Sequence, residues 1–449
     1  MEDPKELREV AFNFVREASR AADPVPALRR VWIPEPGRLY ALAIGKAAGP
    51  MAAELQVLCG DGLVTGLIVG PDTAVAPGPA WRKLGADHPY PTPRNEDAGW
   101  QVARFVERAS TEGTLVVALS GGGSAYLSVA EAGLTVQDLA AATRGLQLAG
   151  ATIGELNAVR KHTDVLKGGR LGLLSRGRTR VYVLSDVLGD PLDVISSGPF
   201  APDPTSFADA LRVIERRGQA ESLMNVARHL RDGARGLHHE TPKPGDERLA
   251  HIEHVVIASN ATVLDAVASS LGREGFRLRV RRNVEGEASE VGRSLAREAV
   301  GLARAGTQVA LVFGGETTVT VGSSRGVGGP SQELALAAGL ELESALGNGV
   351  EWLTVAYSTD GRDGPTDAAG ALVEAKSLAA MREGGCDPVL ALTEHDVFGA
   401  LRAGRASIEA RVTHTNLNHV GAVLVRSGKA QGGAARQARA VRQQSLDAL

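Results

Sequence analysis

The feature that most constrains the fold of this chain is a repeated junction, in which an apolar run meets a glycine-rich or polar turn before a helical pattern. Such junctions occur at Ile44-Gly45-Lys46, Leu119-Ser120-Gly121 and Leu184-Ser185-Asp186. Apolar strands that alternate with helices form parallel sheets covered on both faces. Because these sheets bind ligands beyond the carboxyl ends of their strands, we expect the polar turns to carry the function.

A second run of the same pattern predicts a second domain. The polar segment His238–Arg248 contains two prolines and is the best candidate linker. Beyond it Val255–Ala258 is predicted as a strand of the new domain. The alternation in Thr317–Val321 predicts an antiparallel hairpin after Gly314-Gly315, and therefore a mixed sheet. We predict an N-terminal Rossmann-like α/β domain at 1–240, with a parallel sheet covered by helices on both faces, and a C-terminal α/β domain with a mixed sheet at 250–427.

Charge and composition narrow the class of protein. The 449 residues include 49 Lys and Arg against 52 Asp and Glu, a formal net charge of −3. This balance argues against nucleic-acid and membrane partners, which need clustered positive charge. No secretion signal is visible, no run approaches the roughly 20 apolar residues of a membrane span, and the two cysteines suit reduced structural roles. We expect a cytoplasmic enzyme.

The last segment, 428–449, carries four basic residues among Gln and Ala. We expect it to be a flexible basic tail. The alternative is a contact within an oligomer, such as a homodimer.

Candidate anion ligands follow the strands of the first domain. Lys46 stands directly behind a strand, where an ammonium suits phosphoryl transfer, although it could equally be a lysine at a strand end that reaches for solvent. The remaining candidates are the turn Ser120, Gly121, Gly122, Gly123 and Ser124, whose amides suit an anion, and the cations Arg160 and Lys161. Arg160 could instead share a salt-bridged helix face with Asp164 and Lys167.

Carboxylates are the second group of candidates. Asp186 and Asp190 follow a strand, where a carboxylate suits Mg²⁺ or a general base, although Asp also favours ordinary turns. The rigid loop that follows contributes Ser197 and Gly198. In the second domain the candidates are Glu316, Thr317, Asp360, Asp363, Asp367 and Asn416, while Ser331 is a natural helix N-cap. Residues 358–367 form the densest polar loop of the chain.

Cations and backbone amides in one domain and carboxylates in the other indicate Mg²⁺-assisted phosphoryl transfer in a cleft between the domains. Several segments also resemble the glycerate 2-kinase family, which combines a glycerate-kinase domain with a C-terminal MOFRL domain. The resemblance covers nearly the whole chain in order, and its most specific segment is Thr359–Gly370. Other matching segments are Ile44–Ala47, His88-Pro89, Ser120–Ala125, Val159–His162, Ser197–Pro199 and Gln332–Leu336.

This resemblance implies ATP-dependent phosphorylation of D-glycerate at its 2-hydroxyl, with Lys46 as a residue of the site. We predict catalytic roles for Lys46 and for Asp186 and Asp360, one of which would orient the hydroxyl or take its proton. Mg²⁺ would bind at Asp186, Asp190 and Asp360, and Gln332 and Glu333 would join the binding residues. The chain departs from the family in Gly326–Ser331, which lacks two arginines, so that Arg325 is their candidate substitute. The alternatives are a hydroxypyruvate reductase that uses NAD(P)H, which the absence of a GxGxxG fingerprint opposes, and a non-catalytic protein that binds sugar acids or phosphate.

Overall fold

The computed structural model describes residues 5–303, 307–347, 349–413 and 415–427, which form two compact units. The N-terminal unit comprises Ala22–Ser259 and a short segment that ends at Leu417. The C-terminal unit comprises Asn260–Thr413, the described residues from Asn418 onward, and the start of the chain up to Ala21. The tail predicted at 428–449 lies outside the described residues.

The helices are α1 (Leu7–Ala22), α2 (Pro24–Val31), α3 (Ala48–Cys59), α4 (Pro93–Glu112), α5 (Gly123–Tyr126), α6 (Val136–Leu148), α7 (Ile153–Lys161), α8 (Arg170–Leu174), α9 (Phe207–Arg216), α10 (Met224–Ala234), α11 (Asn260–Arg273), α12 (Ala288–Leu302), α13 (Pro330–Ala345), α14 (Ala375–Glu383), α15 (Pro388–Thr393) and α16 (Val397–Ala403). The strands are β1 (Leu39–Ile44), β2 (Leu63–Val69), β3 (Trp81–Leu84), β4 (Thr114–Ser120), β5 (Thr179–Leu184), β6 (Ile252–Ala258), β7 (Arg277–Glu287), β8 (Gln308–Thr318), β9 (Val350–Ser358), β10 (Ala368–Glu374), β11 (Ser407–Glu409) and β12 (His419–Ser427).

The N-terminal unit is built on a parallel sheet with the strand order β3-β2-β1-β4-β5-β6. Every residue of β1, β4 and β5 is buried, as expected for strands covered on both faces. Capping boxes that begin at Thr92, Thr135, Thr152 and Ser206 start the helices α4, α6, α7 and α9. Helices α6, α7, α9 and α10 share a second apolar cluster beside the core of the sheet.

The last strand of this sheet differs from its predicted assignment. The sequence analysis placed Val255–Ala258 in the second domain, but β6 pairs in parallel with β5 at the edge of the first sheet. The predicted linker therefore lies inside the N-terminal unit, and the unit ends at Ser259. After β5 the chain forms α9 and α10 and then returns to the same sheet as β6. The polar segment before β6 does not reveal this return.

The C-terminal unit contains the predicted mixed sheet, with the order β11-β10-β9-β12-β8-β7. Strands β7 and β8 are parallel, and the other neighbouring pairs are antiparallel. The predicted hairpin at Thr317–Val321 is wrong, because β8 runs without a turn through Gly314 and Gly315 as far as Thr318. A Cβ at Gly315 would overlap the backbone of Val284 on β7, so the glycine permits a close approach of strands instead of a turn.

Within the described ranges, no helix is both long and apolar enough to cross a membrane.

Candidate functional site

The strand order of the N-terminal unit reverses between β1 and β4, which is the point where doubly wound sheets bind their ligands. The turn Gly45-Lys46 follows β1, the turn that begins at Ser120 ends β4, and Asp186 follows β5. Because neighbouring parallel strands end at the same edge of the sheet, these predicted site residues share that edge. We call it the N-terminal loop edge.

Hydrogen bonds join the turns after β1 and β4. The Lys46 amide donates to the Gly121 carbonyl at 2.9 Å, and the Ala47 amide donates to Ser120 Oγ at 3.1 Å. Ser120 Oγ in turn donates to the Ile44 carbonyl at 3.1 Å. The hydroxyl of Ser120, which the sequence analysis listed as an anion ligand, is thus buried and holds the two turns together.

The glycines of the Ser120–Ser124 turn bring other residues close to the backbone. A Cβ at Gly121 would overlap the Asp186 carboxylate, and one at Gly123 would overlap Ser196 Oγ. At Gly122, with φ of +84°, a Cβ would lie 3.1 Å from Lys46 Cγ and 3.4 Å from His88 Nε2. The turn therefore gathers Lys46 and Asp186, as predicted, together with His88 and Ser196.

Three cationic or titratable groups influence one another at this edge. The pKa of His88 lies below its ordinary value, first because surrounding protein desolvates the ring, and then because Lys46 and Arg160 repel its charged form. Burial lowers the pKa of Arg160 to about 10, which still leaves the guanidinium charged at neutral pH. Lys46 is exposed. The edge therefore presents positive charge beside the glycine turn.

The loop after β5 is held in an unusual backbone conformation. Ser196, Ser197 and Gly198 have φ of 53°, 60° and 58°, a region that serines seldom occupy. Ser196 Oγ donates to the Ser120 carbonyl at 2.9 Å, and Ser197 Oγ lies 2.8 Å from Ser124 Oγ. Non-glycine residues in this region are strained and persist where the surroundings hold them, often at functional sites. The predicted residues Ser197 and Gly198 thus pack against the glycine turn.

The structure gives Lys161 a role different from its predicted anion contact. Its side chain is 1% exposed, and its ammonium lies 2.7 Å from Asp193 Oδ2 and 3.1 Å from Asp203 Oδ1. The two carboxylates therefore balance its charge inside the protein. The alternative of a salt-bridged helix face is also wrong, because α7 ends at Lys161, and Lys167 forms its buried ion pair with Asp164 beyond the helix.

The C-terminal unit has a comparable loop edge, where β8 and β9 end on either side of the start of β12. His419 of β12 pairs with Gly315 of β8 and with Ser358 of β9. Glu316 is exposed there, while Thr317 is buried with its Oγ1 3.5 Å from His419 Nδ1. Asp360 is exposed and its Oδ1 accepts hydrogen bonds from Ser358 Oγ at 2.7 Å and from the Arg362 amide at 3.0 Å.

Two predicted ligands of this edge have structural partners. Asp363 is buried, and its carboxylate accepts from the Ser331 amide at 3.0 Å and from the Gln332 amide at 2.9 Å, so it caps α13. Ser331 is not the N-cap, because α13 begins at Pro330 with Gly329 before it. Gln332 donates its side-chain amide to Asp363 and Thr366.

The remaining predicted residues are spread over the unit. Glu333 is buried on α13 against His395 Nδ1 at 3.0 Å, and desolvation raises the pKa of its carboxyl more than His395 lowers it. Arg325 and Asp367 are both exposed, and Asp367 lies 3.7 Å from the Arg362 guanidinium. Asn416 lies in the short segment that clusters with the N-terminal unit.

The carboxylates at these loop edges suit a magnesium ion that is bound partly by the protein and partly by phosphate. Mg²⁺ usually binds through one or two carboxylates together with phosphate oxygens and water. Within the described ranges, no three His, Cys, Asp or Glu side chains come together as a metal-binding group. Asp186 stands at the glycine turn, whereas the Asp190 amide donates to the Val187 carbonyl within a tight turn. The donor set therefore fits a Mg²⁺ that arrives with phosphate oxygens of its own, and it does not form a complete protein cage.

Sequence reasoning missed three residues of the N-terminal loop edge. His88, Ser196 and Asn157 were quoted within segments but were not selected as site residues. The signal for His88 was its place in the His-Pro pair that the resemblance includes. Asn157 had no such signal, because its contacts with Val194 and Ser197 cross 37 and 40 residues of the chain.

Comparison with known families and proteins gives a consistent result. The family described as "Domain of unknown function (DUF4147)" matches residues 9–231, and the MOFRL family matches residues 309–419. The glycerate 2-kinase of Pyrococcus horikoshii is 35% identical over 444 residues, covering 94% of this chain and 98% of that protein. A protein of Agrobacterium vitis, 34% identical over 428 residues with coverage of 93% and 94%, has only a provisional name, hydroxypyruvate reductase.

A solved structure supports the same grouping. The crystal structure of glycerate kinase from Thermotoga maritima superposes with a TM-score of 0.83 at 33% sequence identity. The match covers 93% of this chain and 99% of that one.

Proposed function

Since this chain belongs to the glycerate 2-kinase family and is a kinase, we propose that it transfers the γ-phosphoryl group of ATP to the 2-hydroxyl of D-glycerate. The products would be ADP and 2-phosphoglycerate. We propose that the N-terminal loop edge binds the anionic substrates and that Asp360 of the C-terminal loop edge also takes part in the reaction.

The observation that carries this proposal is the gathering of Lys46, Arg160 and His88 at the glycine turn. Both substrates are anions, a triphosphate and a carboxylate. An edge with charged cations is suited to them, and the same groups stabilise charge as it develops on a transferring phosphoryl group. The exposed Lys46 can follow that group, while the more enclosed Arg160 is suited to the carboxylate.

The reaction needs a nucleophile and a place for its proton. The 2-hydroxyl oxygen forms a bond to the γ-phosphorus, and the bond from that phosphorus to the bridging oxygen breaks as ADP leaves. We propose that Asp186 or Asp360 accepts the hydroxyl proton. Mg²⁺, held by Asp186 or Asp360 with the ATP phosphates, would supply charge neutralisation when bound. The chain itself orients the reactants and excludes water from them.

The relative with the provisional reductase name supports a second candidate function, the reduction of hydroxypyruvate. Its substrate has the same carboxylate and three-carbon length, so the anion-binding groups would serve either reaction. The Ser120–Ser124 turn lacks the third glycine of the dinucleotide fingerprint, since Tyr126 stands at that position. This departure favours the kinase.

The test is to incubate the purified full-length protein with MgATP and D-glycerate and to measure ADP release. The product is then offered to an assay that accepts 2-phosphoglycerate but not 3-phosphoglycerate. We expect ADP and 2-phosphoglycerate in equal amounts. Consumption of NADH or NADPH with hydroxypyruvate, without ADP release from glycerate, would contradict the proposal and support the reductase.

A further inference from the structure

A chain of side-chain hydrogen bonds links the Arg160 region to the glycine turn through buried residues. Arg160 Nη1 lies 3.4 Å from Asn157 Oδ1, which lies 3.0 Å from Ser197 Oγ, and Ser197 Oγ lies 2.8 Å from Ser124 Oγ. Asn157 and Ser197 are 2% and 0% exposed, whereas Ser124 is only half-buried. Ser124 is thus the serine of this chain of hydrogen bonds that solvent reaches.

The orientation of the Asn157 amide follows from two neighbours. The Val194 carbonyl can only accept, and it lies 3.1 Å from the atom that must therefore be the amino nitrogen, Nδ2. On the other side Arg160 can only donate, so the atom that it approaches must be the oxygen, Oδ1. Both neighbours require the same orientation.

This orientation determines where the hydroxyl protons go. Asn157 Oδ1 has no proton, so the Ser197 hydroxyl donates its single proton to it. In the contact between the two serines, Ser197 Oγ then has only lone pairs, and the Ser124 hydroxyl must be the donor. Ser124 Oγ has no other hydrogen-bond partner among the described residues, so it presents lone pairs, and not a proton, to a ligand.

We propose that Ser124 accepts a hydrogen bond from the unreacted 3-hydroxyl of the three-carbon acid, while Asn157 and Ser197 are positioning residues that fix its direction. The inference rests on the proposed function. Phosphate and carboxylate oxygens are acceptors and gain nothing from an acceptor, whereas a hydroxyl is a donor. The bound hydroxyl keeps its proton, because a neutral serine is a poor base, so it is the hydroxyl that does not react.

The experiment compares D-glycerate with lactate, which has the 2-hydroxyl but lacks the 3-hydroxyl. Ser124→Ala should lower kcat/KM for D-glycerate about tenfold, through KM, and leave lactate unchanged, because a buried hydroxyl loses its acceptor. The KM for ATP should stay the same. Ser197→Ala removes the acceptor of the Ser124 proton, which can then point toward the ligand. The preference for D-glycerate over lactate should therefore fall, by a smaller factor than in Ser124→Ala.

Controls separate a specific effect from a structural one. Ser110→Ala removes a buried serine hydroxyl near the end of α4, and it should leave the ratio between the two acids unchanged. Denaturation curves of each variant show whether it folds. Calorimetric titration of the wild type and Ser124→Ala with each acid gives the same ratio without turnover.

The outcomes distinguish this inference from the proposed function. A wild type that releases no ADP from glycerate contradicts the proposed function, and calorimetry then decides whether Ser124 still recognises the 3-hydroxyl. An active wild type whose Ser124→Ala variant loses both acids equally, or raises the KM for ATP, overturns the inference in favour of a phosphate contact. The inference is also overturned if the ratio of kcat/KM for D-glycerate to that for lactate in Ser124→Ala stays within twofold of the wild-type ratio.

Discussion

The two loop edges differ in which groups maintain their structure. At the N-terminal loop edge, hydroxyls and backbone amides join the turns, through Ser120, Ser196 and Ser197, and the charged side chains of Lys46 and Asp186 stand next to the glycines. At the C-terminal loop edge, carboxylates do that structural work.

Asp363 caps α13 from inside the protein, and Glu333 is buried against His395, whereas Asp360, Asp367 and Glu316 stay exposed. This difference shows that many carboxylates in one loop of a sequence do not mean that many of them can bind a ligand or act in catalysis. Where neutral groups hold the backbone, as Ser120 does, a charged side chain such as Lys46 stays exposed. Where carboxylates hold it, as Asp363 does, those carboxylates are already bonded to the protein.

The largest expected effect is at the N-terminal loop edge. Lys46→Ala should lower kcat/KM for glycerate about 10³-fold, because an ammonium beside the transferring group is lost. The free energy of unfolding should change by less than about 0.5 kcal/mol, since Lys46 is exposed. A steady-state ADP assay and urea denaturation measure the two quantities.

The matched control is Lys376→Ala, which removes an exposed lysine on α14. It should keep the activity of the wild type. If Lys46→Ala retains more than about a tenth of the wild-type activity, the charge of Lys46 is not used for phosphoryl transfer. The proposed catalytic role of the N-terminal loop edge would then be wrong.

A pair of substitutions in one loop tests the other edge. Asp363→Ala should lower the free energy of unfolding by about 3 kcal/mol, because buried amides at the start of α13 lose their acceptor. Asp360→Ala should cost less than about 0.5 kcal/mol, because its side chain is exposed, yet it should reduce kcat about 100-fold. Denaturation and steady-state kinetics of both variants measure these effects. We expect Asp363→Ala to lose mainly stability and Asp360→Ala to lose mainly activity. Equal losses of stability would contradict the division between structural and available carboxylates.

The smallest expected effect tests the electrostatic interaction between Lys46 and His88 at the N-terminal loop edge. Lys46→Met should raise the pKa of His88, because a cation that repels the protonated ring is removed. An NMR titration of the His88 ring measures this shift, with Lys376→Met as the control. An unchanged pKa would mean that Lys46 does not share the space at Gly122.

Much of the fold could be predicted because apolar runs directly report buried strands. The strands after which Lys46, Ser120 and Asp186 occur were found in this way, and the two α/β architectures are confirmed. The glycines of β8 misled the prediction, because a glycine that admits Val284 of the neighbouring strand looks the same in sequence as a glycine in a turn.

The candidate site was less predictable because charge partners are distant in the chain. Lys161 has the sequence context of an exposed cation, and only the fold shows Asp203, 42 residues away, beside it. The same holds for Asp363, whose partners on α13 precede it by 31 and 32 residues. Residue types and local spacing identify the groups that could bind a ligand, but they do not show which of those groups are already bonded to the protein.

The first helix of the chain has a consequence for the order of synthesis. Helix α1 buries Val10, Ala11 and Phe14, and it belongs to the C-terminal unit, where Arg8 pairs with Glu374. On the ribosome Arg8 emerges 366 residues before that partner. At about 5–20 residues per second the delay is on the order of tens of seconds. Throughout that time the nascent chain carries an apolar helix face without its final partners, so this face is where we expect chaperones to bind while the N-terminal unit folds.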